Sequence, residues 1–128
     1  MKTHYQNQKG FNLIEILIAV TIIGILSGVV SLSVGKYLDN ARVKATQAAM
    51  RTISQAIISY KHTQGTWPKT LEDVKDYLNK KGDNDPFKDE WKNPYEYSLP
   101  TRTQSGTITS WGLDGQPGGG DDLVEEFK

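Results

Sequence analysis

Hydrophobic residues are spread unevenly along this chain. From Phe11 to Val34 the run "FNLIEILIAVTIIGILSGVVSLSV" carries one ionisable residue, Glu15. About 20 apolar residues in a helix cross a bilayer, so the run predicts a membrane-spanning helix. After Val34 the pattern becomes one-sided. Leu38, Ala41, Ala45, Ala49, Ile53, Ile57 and Tyr60 recur at steps of three and four, and Lys36, Asp39, Arg42, Thr46, Arg51 and Ser54 are expected on the opposite face. No proline interrupts residues 11–64. The spacing therefore predicts one helix, apolar all round over 11–34 and amphipathic over 35–64. Gly65 and Pro68 in "TQGTWP" are expected to end it.

The rest of the chain has shorter periods. "KTLEDVKDYLNKKG" predicts a second, short helix with Thr70 as N-cap, Asp73 three residues on, an apolar face of Leu71, Val74 and Leu78, and an end at Gly82. "DNDPFKDEWKNPYEYSLP" reads as an ordered loop entering a strand over Tyr95–Leu99. "GTITSWGL" alternates as its partner strand would, with "PTRTQS" as the turn between them. The expected fold class is α+β, a long N-terminal helix packed on a small antiparallel β-sheet within a globular domain over 65–128. Trp67, Phe87, Trp91, Tyr95, Tyr97 and Trp111 are the heaviest parts of its thin core.

Charge and composition narrow the function. The 128 residues allow one modest domain beside the apolar segment. Formal net charge is zero, and the lysines and arginines form no stripe interleaved with aromatics, so no nucleic-acid partner is expected. No Ser–His–Asp set, phosphate-cradling glycine loop or dedicated carboxylate pair is present, and His4 and His62 are isolated; no enzyme is expected. There is no cysteine, which excludes a disulfide framework and a thiolate metal site.

A small domain without disulfides needs another staple, and the acidic end of the chain offers one. In "DGQPGGGDD", Asp114 stands seven and eight residues before Asp121 and Asp122. Carboxylates joined by glycines suit calcium, which takes 6–8 oxygen ligands and tolerates irregular geometry. Gly115, Gly118, Gly119 and Gly120 let the backbone curl; the spacing is not that of an EF-hand. A flexible acidic tail beside a glycine turn is the open alternative. Asp83, Asp85, Asp89 and Glu90 cluster in the preceding loop, where they suit a second cation but read better as a solvated turn.

Residues 1–34 admit a secretory signal peptide or a plain single-pass anchor. Lys2 and Lys9 would hold residues 1–10 in the cytoplasm. Neither reading explains Glu15, because a lone carboxylate in hydrocarbon costs on the order of 2.5–3.5 kcal/mol. A third reading does. "KGFNLIE" resembles the cleavage and assembly motif of type IV pilins and of the pseudopilins of type II secretion. The resemblance implies that a prepilin peptidase cuts after Gly10 and N-methylates Phe11. Residues 1–10 are then a leader, and 11–34 serve as both anchor and filament core. It also implies that Glu15 pairs with the Phe11 amine of a neighbouring subunit and so sets the register of a polymer.

Further along, "TWPKTLEDV", "DEWKNPYEY" and "SWGLDGQPGGGDD" run in the order found in the major pseudopilins of type II secretion; Lys92 stands where that family more often has glycine. The resemblance implies a type IV pilin-like fold and a homopolymer. Its subunits cross the inner membrane once, with the C-terminal domain in the periplasm, and help drive folded proteins across the outer membrane. The implied partners are minor pseudopilins, the inner-membrane assembly platform and the prepilin peptidase. Calcium is implied in the loop 111–122, held by Asp114, Asp121 and Asp122, with the carbonyls of Trp111 and Gln116 as further ligands. The alternatives are a type IV pilin for adhesion or motility, and a membrane-anchored calcium-binding domain that does not polymerise.

Overall fold

A computed structural model describes residues 10–78 and 85–128; of 31–33 it describes the helical backbone alone. The leader residues 1–9, Asp83 and the expected helix stop at Gly82 lie outside the described residues. Helix α1 runs from Leu13 to Gln64, 52 residues. It ends where glycine and proline predict. Gly65 adopts φ 76 and its N–H reaches the Lys61 carbonyl at 2.9 Å. The chain divides into two compact units, one ending at Tyr37 and the other Leu38–Lys128.

In the first unit the apolar side chains from Phe11 to Val30 are exposed in the single chain. This stretch is long and apolar enough to cross a membrane. Thr21 and Ser27 turn their hydroxyls onto the carbonyls four residues back, at 2.8 and 2.7 Å. That satisfies polar groups an apolar surrounding would otherwise penalise.

The second unit holds the core. Met50, Ile53, Ala56 and Ile57 of α1 are buried with Leu71, Val74, Leu78, Phe87, Tyr95, Ile108 and Phe127. The buried face of α1 is rotated from the expected one. Thr46 and Ser54, expected on the polar side, are buried, whereas Leu38, Ala41 and Ala45 are exposed. The stripe that wins is 46, 50, 53 and 57. It brings in Met50, a far larger apolar group than the alanine methyls. Thr46 is tolerated there because its Oγ1 accepts the Glu90 N–H at 3.4 Å.

Leu71–Tyr77 forms a seven-residue 3-10 helix where the short second helix is expected. The Asp73 carboxylate reaches back to the N–H groups of Lys69 and Thr70, both at 3.0 Å, as an N-terminal capping acid does. The sheet has three antiparallel strands in the order β1 (Glu96–Ser98), β2 (Gly106–Ser110), β3 (Leu123–Phe127). Tyr97 faces Ile108 across β1 and β2, and β2 meets β3 from Gly106↔Phe127 to Ser110↔Leu123. Ile108 and Ser110 are buried on the core side, and the Phe127 ring stacks on Tyr97 with centroids 6.0 Å apart. Strand β3 is absent from the sequence expectation.

Candidate functional site

Two places carry the residues singled out from sequence. The first is the loop 111–122, which joins β2 to β3. Because Ser110 and Leu123 are paired residues of those strands, the two ends of the loop are held side by side. Asp114, Asp121 and Asp122 each bring one carboxylate oxygen into a group whose members all lie within 4.8 Å of one another. Backbone N–H groups orient these acids. Asp121 Oδ2 accepts from Asp114 (3.0 Å), Asp114 Oδ1 from Gln116 (2.9 Å), and Asp122 Oδ2 from Gly118 (2.8 Å). The Asp114 N–H holds the Asp121 carboxyl below the usual carboxylate range. Among the described residues no lysine or arginine pairs with any of the three.

A hard divalent cation fits this donor set. Asp122 Oδ1 is buried with no hydrogen-bond partner, an acceptor left over. Gly119 leaves open the room between two of the acids, since a Cβ there would stand 2.5 Å from Asp114 Oδ2 and 2.8 Å from Asp121 Oδ1. Carboxylate oxygens converging without a protein counter-charge match calcium chemistry. Of the two residues expected to add carbonyls, Gln116 is tied to Asp114 Oδ1 through its N–H. Trp111 leads into the loop and points its indole Nε1 at Glu96 Oε2, 3.3 Å away.

The loop leans on the segment 85–95, the expected ordered loop, whose acids Asp85, Asp89 and Glu90 are expected to be solvated. Asp89 is instead 4% exposed. Its Oδ1 accepts the N–H groups of Trp91 (3.0 Å) and Asn93 (2.9 Å), and its Oδ2 accepts the Ser110 hydroxyl (2.7 Å). The available sequence signal is the turn-forming run "DEWKNP", where an Asp bonds backbone N–H groups a few residues on. Its burial depends on Ser110, 21 residues away, and is not readable locally. Lys92 in this turn adopts φ 71, the conformation glycine takes at no steric cost.

The second place is the head of α1. Gly10 and Phe11 precede the helix, and Phe11 is 87% exposed. Asn12 caps the helix through Oδ1, which accepts the Ile14 N–H at 3.4 Å. Glu15 Oε2 accepts the Asn12 N–H at 3.1 Å. In the single chain, then, the Glu15 carboxylate is an N-terminal cap, one turn from where cleavage after Gly10 would create an amine.

Residues 33–125 match the family model described as type II secretion system (T2SS), protein G, and residues 5–31 match that of the prokaryotic N-terminal methylation motif. The chain belongs to the protein G family of type II secretion. This is the family of the major pseudopilin. The type II secretion system core protein G of Pseudomonas aeruginosa is 31% identical over 91% of both chains. That of Aeromonas hydrophila is 30% identical over 92% of both, and that of Vibrio cholerae 29% identical over 89% of this chain and 86% of its own. No solved structure matches the chain. In this pseudopilin the methylation motif spans Gly10, Phe11 and Glu15, and the protein G match spans the acidic loop.

Proposed function

We propose that this pseudopilin is processed after Gly10, N-methylated on Phe11, and polymerised from the inner membrane into a periplasmic pseudopilus whose growth helps move folded proteins across the outer membrane. The observation that carries this reading is the apolar surface from Phe11 to Val30, exposed in the single chain and headed by the Phe11–Glu15 turn. Lipid covers such a surface in a waiting subunit, and neighbouring helices cover it in a filament. Glu15 exchanges its hold on the Asn12 N–H for the Phe11 amine of the next subunit, where low dielectric strengthens the attraction. Because both charges are costly when unpaired in an apolar surrounding, the pair fixes axial register. The prepilin peptidase, the assembly platform and minor pseudopilins are the partners this cycle requires.

Asp114, Asp121 and Asp122 would hold calcium, with the carbonyls of Trp111 and Gln116 completing its oxygen shell. Bound there, the cation supplies the positive charge that the loop's own residues lack. The loop then becomes a fixed surface between β2 and β3.

The test is Glu15→Ala, expressed in cells that carry the secretion machinery. The variant is expected to insert and be processed while sheared or cross-linked filaments and secretion are lost. Filaments at the native level would overturn the register role of Glu15.

A further inference from the structure

We propose that Asp89 and Ser110 are positioning residues for the cation loop, acting through a hydrogen-bond relay onto Gly112. The inference rests on the calcium reading above and goes beyond the ligands themselves. Ser110 has a single hydroxyl hydrogen, and it donates it to Asp89 Oδ2 at 2.7 Å. The Ser110 oxygen is thereby left as an acceptor, and it receives the Gly112 N–H at 3.3 Å. Gly112 is buried at φ 65 with its Cα against Asp121, where a Cβ would overlap the Asp121 backbone carbonyl. The relay thus places the backbone that Asp121 packs on.

The same segment braces the loop a second time. Asn93, whose N–H is held by Asp89, sets its side-chain amide against Gly115, 3.1 Å from the position of a Cβ there. Gly115 is also left-handed, at φ 63. Asp114 stands between these two braced glycines. The segment is itself tied to α1 through the Glu90 N–H and Thr46 Oγ1. Two of the three carboxylates therefore take their backbone positions from residues that touch no ligand oxygen. The two oxygens of Asp89 divide the work, Oδ1 closing its own turn and Oδ2 reaching the loop.

That division makes the role separable from plain structural support. Ser110→Ala cuts the arm to the loop and spares the turn. Asp89→Asn keeps its size and presents an amide N–H to Ser110, reversing the relay. Ser110→Thr retains the hydroxyl. The full-length chain in detergent micelles is titrated with calcium chloride by calorimetry, and its unfolding midpoint is measured separately in excess chelator. Ser110→Ala and Asp89→Asn are each expected to raise the calcium Kd roughly tenfold, as loss of an outer-shell partner does, while Ser110→Thr stays near wild type. Ordinary structural support would lower the chelator midpoint and leave the Kd alone. Calcium uptake by the native chain with unchanged Kd in both variants overturns the positioning role alone. No uptake by the native chain overturns the calcium reading, and this inference with it.

Discussion

Lys92 occupies a backbone conformation that suits a different residue, and replacing it should stabilise the protein. At φ 71 it is the only non-glycine residue in the left-handed region among the described residues. Its place is set from both sides: the Lys92 N–H closes on the Asp89 carbonyl at 3.0 Å, and the Asp89 N–H on the Asn93 carbonyl at 2.9 Å. An L-residue in this region costs roughly 1–2 kcal/mol. Glycine removes that cost but loses about 0.5–1 kcal/mol more backbone entropy on folding. The net expectation for Lys92→Gly is a gain of about 0.5–1 kcal/mol, or about 3–6 °C for a unit of this size. Trp67, Trp91 and Trp111 all lie in the Leu38–Lys128 unit, so tryptophan fluorescence follows this unit without interference from the apolar helix half. Lys92→Ala is the control, because it keeps the strained backbone and removes the ammonium. It should leave the midpoint nearly unchanged. A neutral or destabilising Lys92→Gly would refute the backbone argument. Equal stabilisation by Lys92→Ala would move the cause to the charge, which shares a pocket with Arg42.

Two other consequences can be checked on the same chain. Burial, followed by the nearby charge of Asp73, pushes the Tyr97 phenol up to about 12, and burial with the charges of Asp89 and Glu90 also raises Tyr95. Folding therefore favours the neutral phenols. Their contribution is fully present below the ordinary value of about 10 and is lost as pH rises through 10 towards 12 and beyond. Denaturant midpoints that stay flat across that window would contradict the assignment. Gly119→Ala places a methyl 2.5 Å from Asp114 Oδ2 at a backbone that accepts alanine without strain. Calcium binding by calorimetry should be lost while the midpoint in chelator holds, and retained binding would show that the acids gather elsewhere.

What the sequence makes legible follows from the range of the forces involved. The long helix is readable because an unbroken apolar run and the absence of proline act locally, as do the Gly65 stop and the Asp73 cap. The gathering of Asp114, Asp121 and Asp122 is readable because glycines bring near neighbours together. The face of α1 is not, because choosing Thr46 and Met50 over Ala41 and Ala45 depends on what packs against them. Strand β3 escapes for a similar reason. In "LVEEF" the core-side sequence Leu123, Glu125, Phe127 places an acid in the middle, and that acid finds Arg51 of α1 at 4.0 Å. Asp89 is the largest miss: a charged residue in a proline-rich loop looks solvated until Ser110 is brought onto it by the fold.

The proposal that a divalent cation at the last loop staples this thin-cored subunit, which has no cysteine, is tested most directly by heat. The full-length chain in micelles should unfold at a higher midpoint in calcium than in excess chelator. At a hundred times the dissociation constant the gain is about 2.7 kcal/mol. That shift should vanish in Asp114→Ala and in Asp121→Ala. No shift in the native chain, or a full shift in both variants, would contradict a cation held by these carboxylates.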